Sequence, residues 1–267
     1  MLDTCIRRAT VIDGLGGPAT VADIGIRAGR ITAVGTVDDD ATETIDGEGL
    51  VACPGFIDPH THYDAQLFWD GTASPSGVHG VTSVIGGNCS FGLAPLREAD
   101  APYLRDLLAK VEGMPVEALA RGADWGVGGF GTYLDALDGR LAVNAGFLVG
   151  HSTLRRLVLG ASANERNATD AELLELRRQL ADALEAGAPG LLVDLSDFHS
   201  DGDGRPVPAR GADRDEILSL CTLVGEHEGS TLGGIFSGAS RGFTQAEAEL
   251  VAALSAAADR PLNWNLL

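Results

Sequence analysis

The chain has 267 residues, 45% of them apolar, enough to bury a sizeable core in one large domain or two smaller ones. Nineteen basic against 38 acidic residues give a formal net charge of −19, which repels nucleic acid and anionic lipid and leaves no basic stripe for phosphate recognition. No apolar run approaches the ~20 residues of a membrane span, Met1 to Arg8 holds no apolar signal core, and Cys5, Cys53, Cys89 and Cys221 lack paired spacing, so a soluble cytoplasmic protein with reduced thiols is expected.

Residues 1–50 alternate short apolar runs with turn residues, notably Gly14 to Pro18 and Ala28-Gly29, which predicts several short strands. From residue 51 the rhythm changes to apolar strands alternating with amphipathic helical patterns, the signature of βα units around a parallel sheet. Leu50 to Ile57 reads as a buried strand, followed by Val81 to Ile85 and Asn144 to Val149. A helix is expected over Ala99 to Glu112 and carries Lys110, the only lysine of the chain. Three later helices each start with a capping-box pattern, Thr169-x-x-Glu172, Asp213-x-x-Glu216 and Thr244-x-x-Glu247, of which the Asp-led one is the looser match. The strands after them are Gly190 to Asp194, Ser230 to Phe236 and Pro261 to Leu267. That makes six candidate barrel strands, where a closed (β/α)8 barrel needs eight.

The residues with chemical capacity cluster at the ends of these strands. His60 and His62 follow Pro54-Gly55-Phe56-Ile57-Asp58, and in a strand residues i and i+2 share a face, so the two imidazoles and Asp58 can face one cation while Thr61 points away. Such nitrogens suit Zn2+; the plainer alternative is two histidines capping a strand. Cys89 sits in Gly86-Gly87-Asn88-Cys89-Ser90-Phe91-Gly92, a glycine-rich turn after the second of these strands, where a free thiol by itself is most simply a small buried hydrophobe. His151 lies just past the third strand, in Val149-Gly150-His151-Ser152-Thr153-Leu154-Arg155, and Arg155 is a candidate partner for a substrate carboxylate. His199 falls in Asp197 to Pro208, a polar stretch whose Asp-x-Asp-Gly run lacks the downstream glutamate of a calcium loop and reads as a lid or a turn-rich surface loop. His227 reads as a cap against a helix C-terminal dipole.

With its His-Thr-His at the first barrel strand, the chain resembles the amidohydrolase superfamily of metal-dependent hydrolases. The Gly-Asn-Cys segment and Val149 to Arg155 are similar to the N-acyl-D-amino-acid deacylase branch. The resemblance implies an α/β fold, an incomplete (β/α)8 TIM-type barrel over residues 51–267, preceded by a small β-sandwich segment over residues 1–50 that a C-terminal segment completes. It implies that His60, His62 and Cys89 ligate a divalent metal, most simply Zn2+, that His151 and Arg155 are pocket candidates, and that N-acyl-D-amino acids are hydrolysed. Ser90 departs from the usual glycine of that branch, Ser230 to Phe236 lacks its fifth-strand histidine, and the sixth strand offers Asn263 and Asn265 instead of one. The branch's acid-base carboxylate has no counterpart in the chain, so a complementary C-terminal half or chain is expected, and a homo-oligomer is a further possibility. A cyclic-amide hydrolase shares His-x-His but bridges its metals through a strand lysine that this segment lacks. A non-catalytic partner subunit is the alternative outside catalysis.

Overall fold

The computed structural model describes residues 1–126 and 128–264, which form two compact units, Met1–Phe56 and Ile57–Leu267. In the first, β1 (Leu2–Val11) is central: β2 (Thr20–Arg27) pairs with it antiparallel, and β4 (Ala41–Asp46) and β5 (Val51–Ala52) pair with it in parallel. β2 and β3 (Arg30–Gly35) form a hairpin closed by Ala28-Gly29, both left-handed at φ 49 and 70°, the conformation that matches the strand twist. Leu2, Cys5 and Val37 make its small core, whereas Val21, Ile31 and Val34 remain exposed.

The second unit begins with β6 (Phe56–Asp58), β7 (Val81–Gly86), α1 (Ala101–Glu112), α2 (Val116–Gly122), α3 (Phe130–Leu137), β8 (Asn144–Phe147), β9 (Val149–Gly150) and α4 (His151–Leu159). It continues through α5 (Asp170–Glu185), β10 (Gly190–Asp194), α6 (Arg214–Gly225), β11 (Thr231–Ile235), α7 (Gly238–Arg241), α8 (Gln245–Ala258) and β12 (Leu262–Trp264). The third predicted strand is split in two. β8 pairs with β7 in the order β6-β7-β8, and β9 pairs with β10 in the order β12-β11-β10-β9, so one segment joins two sheets. The backbone amide of Leu148, between the halves, still donates to Gly86 O at 2.9 Å. The result is an arc of six strand positions with helices on it, an incomplete barrel whose outer strands are β6 and β12.

All five residues of β10 are buried, as expected of a parallel strand covered on both faces. Leu191 and Val193 pack with Leu232 and Ile235 of β11 and with Leu176, Leu180, Leu220 and Leu254 from the helices. The capping boxes of Thr169 and Thr244 form in full, each hydroxyl accepting from the glutamate amide three residues on while the glutamate side chain returns to the cap. Among the described residues no helix is long and apolar enough to cross a membrane.

One expectation needs correction. Leu50 to Ile57 is not one buried strand: β5 and β6 are separate, and Leu50, Val51, Phe56 and Ile57 are 57, 59, 61 and 67% exposed. Pro54 has no amide hydrogen for a ladder, and the run breaks at Pro54-Gly55. Asn265, named as a sixth-strand residue, lies outside the described residues.

Candidate metal centre

The ends of β6 and β7 bring three donor atoms together. Cys89 Sγ lies 3.6 Å from His60 Nε2 and 3.4 Å from His62 Nε2, and the three ligand atoms are all within 4.8 Å of one another. The histidines reach this arrangement from the bend just past β6 rather than from within the strand. Thr61 points inward, with both its amide and its hydroxyl donating to Ile85 O at 2.9 Å. Asp58 turns back to accept from the His60 amide at 3.2 Å. The expected pleat alternation is therefore not what brings the two imidazoles together: a hydrogen-bonded bend sets them.

Asn88 holds the two segments in register. Its side-chain amide donates to Ile85 O at 2.9 Å, Pro59 O at 3.3 Å and Thr61 O at 3.4 Å, the last two flanking His60. On the other side of the thiol, Ser90 Oγ accepts from the Ser152 amide at 2.8 Å, so the serine that replaces glycine here bonds to the start of α4. Gly87, Cys89 and Ser90 are all left-handed, at φ 72, 51 and 69°. For Cys89 and Ser90 this costs of order 1–3 kcal/mol each, strain that persists only where the surroundings enforce it. At Gly87 a side chain has no room, because its Cβ would lie 2.0 Å from Leu148 O. Gly87→Ala should destabilise the protein by about 2–4 kcal/mol, combining overpacking with left-handed strain, and should reduce bound metal in parallel. Urea unfolding together with elemental analysis checks this; an unchanged midpoint would contradict the close approach described here.

The electrostatics suit a cation. Burial, then the charges of His60 and His199, lowers His62 to about 4, and burial likewise lowers His60, so both imidazoles are neutral and able to donate at pH 7. Burial, followed by the charges of Glu112, Asp194 and Asp64, pushes the Cys89 thiol up. Glu112 Oε1, at the end of α1, approaches His62 Nε2 to 3.4 Å. Burial raises its carboxyl, and burial raises Asp64 to about 7 even though Asp64 accepts from the Gly87 amide at 2.9 and 3.1 Å. Two neutral imidazoles and a thiol, ringed by acidic groups and held by an amide clamp, fit a divalent transition metal, whose charge offsets the desolvation that keeps the thiol protonated. A cavity of about 270 Å³ lined by Asp58, His60, Thr61, His62, Tyr63, Gln66 and Met114 opens onto the histidines. A larger one of about 530 Å³ lies by Asn144, at the start of β8 and away from these donors.

His151 and Arg155 are placed elsewhere than on a pocket wall. Both are 0% exposed, and His151 Nε2 meets Glu216 Oε1 at 2.7 Å while the Arg155 guanidinium pairs with Glu216 Oε2 and donates to Ala163 O at 3.0 and 3.2 Å. They tie α4 to α6 inside the core. The looser capping pattern explains how Glu216 gets there: Asp213 caps its amide at 2.9 Å, but the glutamate side chain turns inward instead of returning to the cap. His227 Nδ1 donates to Leu223 O at 3.0 Å at the end of α6. The stretch after β10 is turn-rich and pinned, with Asp201 0% exposed and accepting from the Asp203 and Arg205 amides at 3.0 and 2.9 Å.

Sequence reasoning left Glu112, Asp64 and Asp194 out of the site. Asp64 had a signal, two residues beyond His62, but Glu112 and Asp194 come from elements whose approach no local pattern encodes.

Known proteins share this fold. The D-aminoacylase of Alcaligenes xylosoxydans xylosoxydans is 38% identical over 229 residues, 85% of this chain and 43% of that protein. A solved D-aminoacylase, described for its binuclear metal centre, superposes with a TM-score of 0.80 at 34% identity, over 98% of this chain and 51% of its own. The N-acyl-D-glutamate deacylase of Bordetella bronchiseptica, solved with zinc and a phosphonate mimic of the tetrahedral intermediate, gives 0.76 at 28% identity, covering 98% and 50%. The chain thus spans about half the length of these relatives. Residues 43–266 match the amidohydrolase family, and the chain belongs to it.

Proposed function

We propose that this chain is the N-terminal part of a zinc-dependent N-acyl-D-amino-acid deacylase that works in the cytoplasm. The observation that carries the reading is the convergence of His60, His62 and Cys89 where the first two strands of the arc end. Those three residues hold the ion, and Asn88 and Ser90 hold them. A bound divalent metal supplies polarisation of the amide carbonyl and a lowered pKa for the attacking water. The cavity beside the histidines admits the acyl group, and Tyr63 and Met114 give it an apolar wall. The four free thiols support a reducing compartment.

A complementary segment or chain supplies the rest of the barrel and an acid-base carboxylate. Its support is the half-length match to relatives, the outer strands β6 and β12, and the exposed Phe56, Ile57 and Trp264 on them. Exposed Val21, Ile31 and Val34 in the first unit call for a cover of the same origin. A second reading, a partner subunit without catalysis, draws on β11 and β12, whose described residues carry no histidine.

The test is a hydrolysis panel on the zinc-loaded protein with its complementary segment: N-acetyl-D-amino acids, their L-enantiomers, hydantoin and dihydroorotate. Turnover of the D-compounds ahead of the L-compounds is expected. Turnover of the cyclic compounds alone selects the cyclic-amide hydrolase, and metal binding without any turnover selects the partner subunit.

A further inference from the structure

Glu112 is the last residue of α1, and Gly113 ends the helix there in the left-handed conformation, at φ 67°. The helix is fixed behind it by Leu104, Leu107 and Leu108, all buried in the core. The turn that follows reaches the donors: Met114 lines the same cavity as His60 and His62, and Glu112 Oε1 lies 3.4 Å from His62 Nε2. The two side chains are only 16 and 17% exposed, and among the described residues His62 is the one basic group at ion-pair distance from this carboxylate. A carboxylate so far withdrawn from water is costly unless a cation meets it.

Which ring nitrogen it approaches decides what the contact is. A carboxylate that merely orients a ligating histidine bonds to the nitrogen turned away from the metal. Here both Nε2 atoms face the Cys89 thiol, at 3.6 and 3.4 Å, and Glu112 comes to that same Nε2 of His62, on the donor side of the ring. The spacing agrees. With zinc bonds of about 2.0–2.1 Å to nitrogen or oxygen and about 2.3 Å to sulfur, neighbouring ligand atoms of a tetrahedron stand ~3.4–3.6 Å apart. The three separations, 3.6, 3.4 and 3.4 Å, all fall there. Glu112 stands outside the three-residue cluster and approaches it from the His62 side, so rotation about its own side-chain torsions is what closes the remaining distance. β11 and the described residues of β12 carry no histidine that would compete for the position.

We propose that Glu112 is a fourth metal ligand of this chain, its Oε1 joining His60, His62 and Cys89 where β11 and β12 offer no imidazole. The inference rests on the reading of those three residues as a metal site. Two neutral imidazoles, a thiolate and a carboxylate balance the charge of a divalent ion, which a three-residue set with one thiolate does not. The end of α1 thereby becomes part of the centre, and the α1–α2 turn carries a ligand and, at Met114, a wall of the adjoining cavity.

The experiment measures zinc affinity by chelator competition, and the visible spectrum after loading with Co2+, for wild type, Glu112→Gln, Glu112→Asp and Glu117→Gln, each with the complementary segment and each checked for folding by circular dichroism. Glu117 is an exposed glutamate of α2, so its change removes one nearby charge without touching the centre. Loss of an outer partner of a ligand costs about 10–100-fold in metal affinity, so loss of a ligand should cost more than ~100-fold in Glu112→Gln. The d–d bands of Co2+ should shift in that variant while the sulfur charge-transfer band of Cys89 persists. Glu112→Asp, which keeps the charge but withdraws the oxygen by one methylene, should bind zinc more weakly than wild type, and Glu117→Gln should match wild type. A loss in Glu112→Gln of less than ~100-fold, a loss equal to that of Glu117→Gln, or an unshifted Co2+ spectrum would overturn the proposal and leave Glu112 a neighbouring charge. A wild type that binds neither ion defeats the metal-site reading and this inference with it; a wild type that binds zinc, with Glu112→Gln binding equally well, defeats the inference alone.

Discussion

Glu216→Leu is expected to cost about 3–5 kcal/mol in urea unfolding, because it leaves the Arg155 guanidinium charged and 0% exposed without its carboxylate. Adding Arg155→Met should cost less than the sum of the two single changes, since removing both members leaves no orphaned charge. The effect should depend on pH in a definite direction. Burial acts to raise the Glu216 carboxyl, but the hydrogen bond and charge of His151, with those of Arg155, more than offset it and hold it below its ordinary value. A depressed folded pKa gives stability that is fully present above the unfolded value of about 4.3 and is lost as pH falls through the folded value. The gap between wild type and Glu216→Leu should therefore be constant near neutrality and narrow in acid. A gap that widens on acidification would rule out the assigned ionic state.

His62→Ala and Cys89→Ala should take the protein from close to one equivalent of bound divalent metal to a small fraction of that. In the assembled enzyme, losing the several kcal/mol that a metal contributes to the transition state corresponds to at least about a thousandfold in rate, at about 1.4 kcal/mol per tenfold. Cys53→Ala is the control, since Cys53 is exposed and distant in role. Elemental analysis after dialysis, with circular dichroism to show that each variant folds, decides the matter. Full metal retention in Cys89→Ala would remove the thiol from the centre.

How far the sequence reveals this protein follows from the range of each signal. Helix starts at Thr169 and Thr244 were legible because a capping box is written in four consecutive residues. β10 was legible as an apolar run bounded by turn residues. His60, His62 and Cys89 were legible because short motifs carry them and a family resemblance adds their roles. Glu112 was not, because its approach to His62 depends on where α1 ends relative to a bend fifty residues earlier in the chain. Glu216 was misleading in an instructive way: a glutamate three residues after a capping aspartate promises a local bond, yet a buried arginine and histidine outcompete the cap for its carboxylate. His151 and Arg155 followed the same logic, since polar residues just past a barrel strand read as pocket groups until their partner in the core is known.

The Asn88 clamp has a mechanical consequence. A carboxamide has two hydrogens, and here they are shared among three carbonyl oxygens, with the short bond going to Ile85 on the thiol's own strand and the longer two going to the histidine segment. One side chain thus ties the bend that carries His60 to the strand that leads into Cys89, so that replacing Asn88 should disturb all three donors together rather than one.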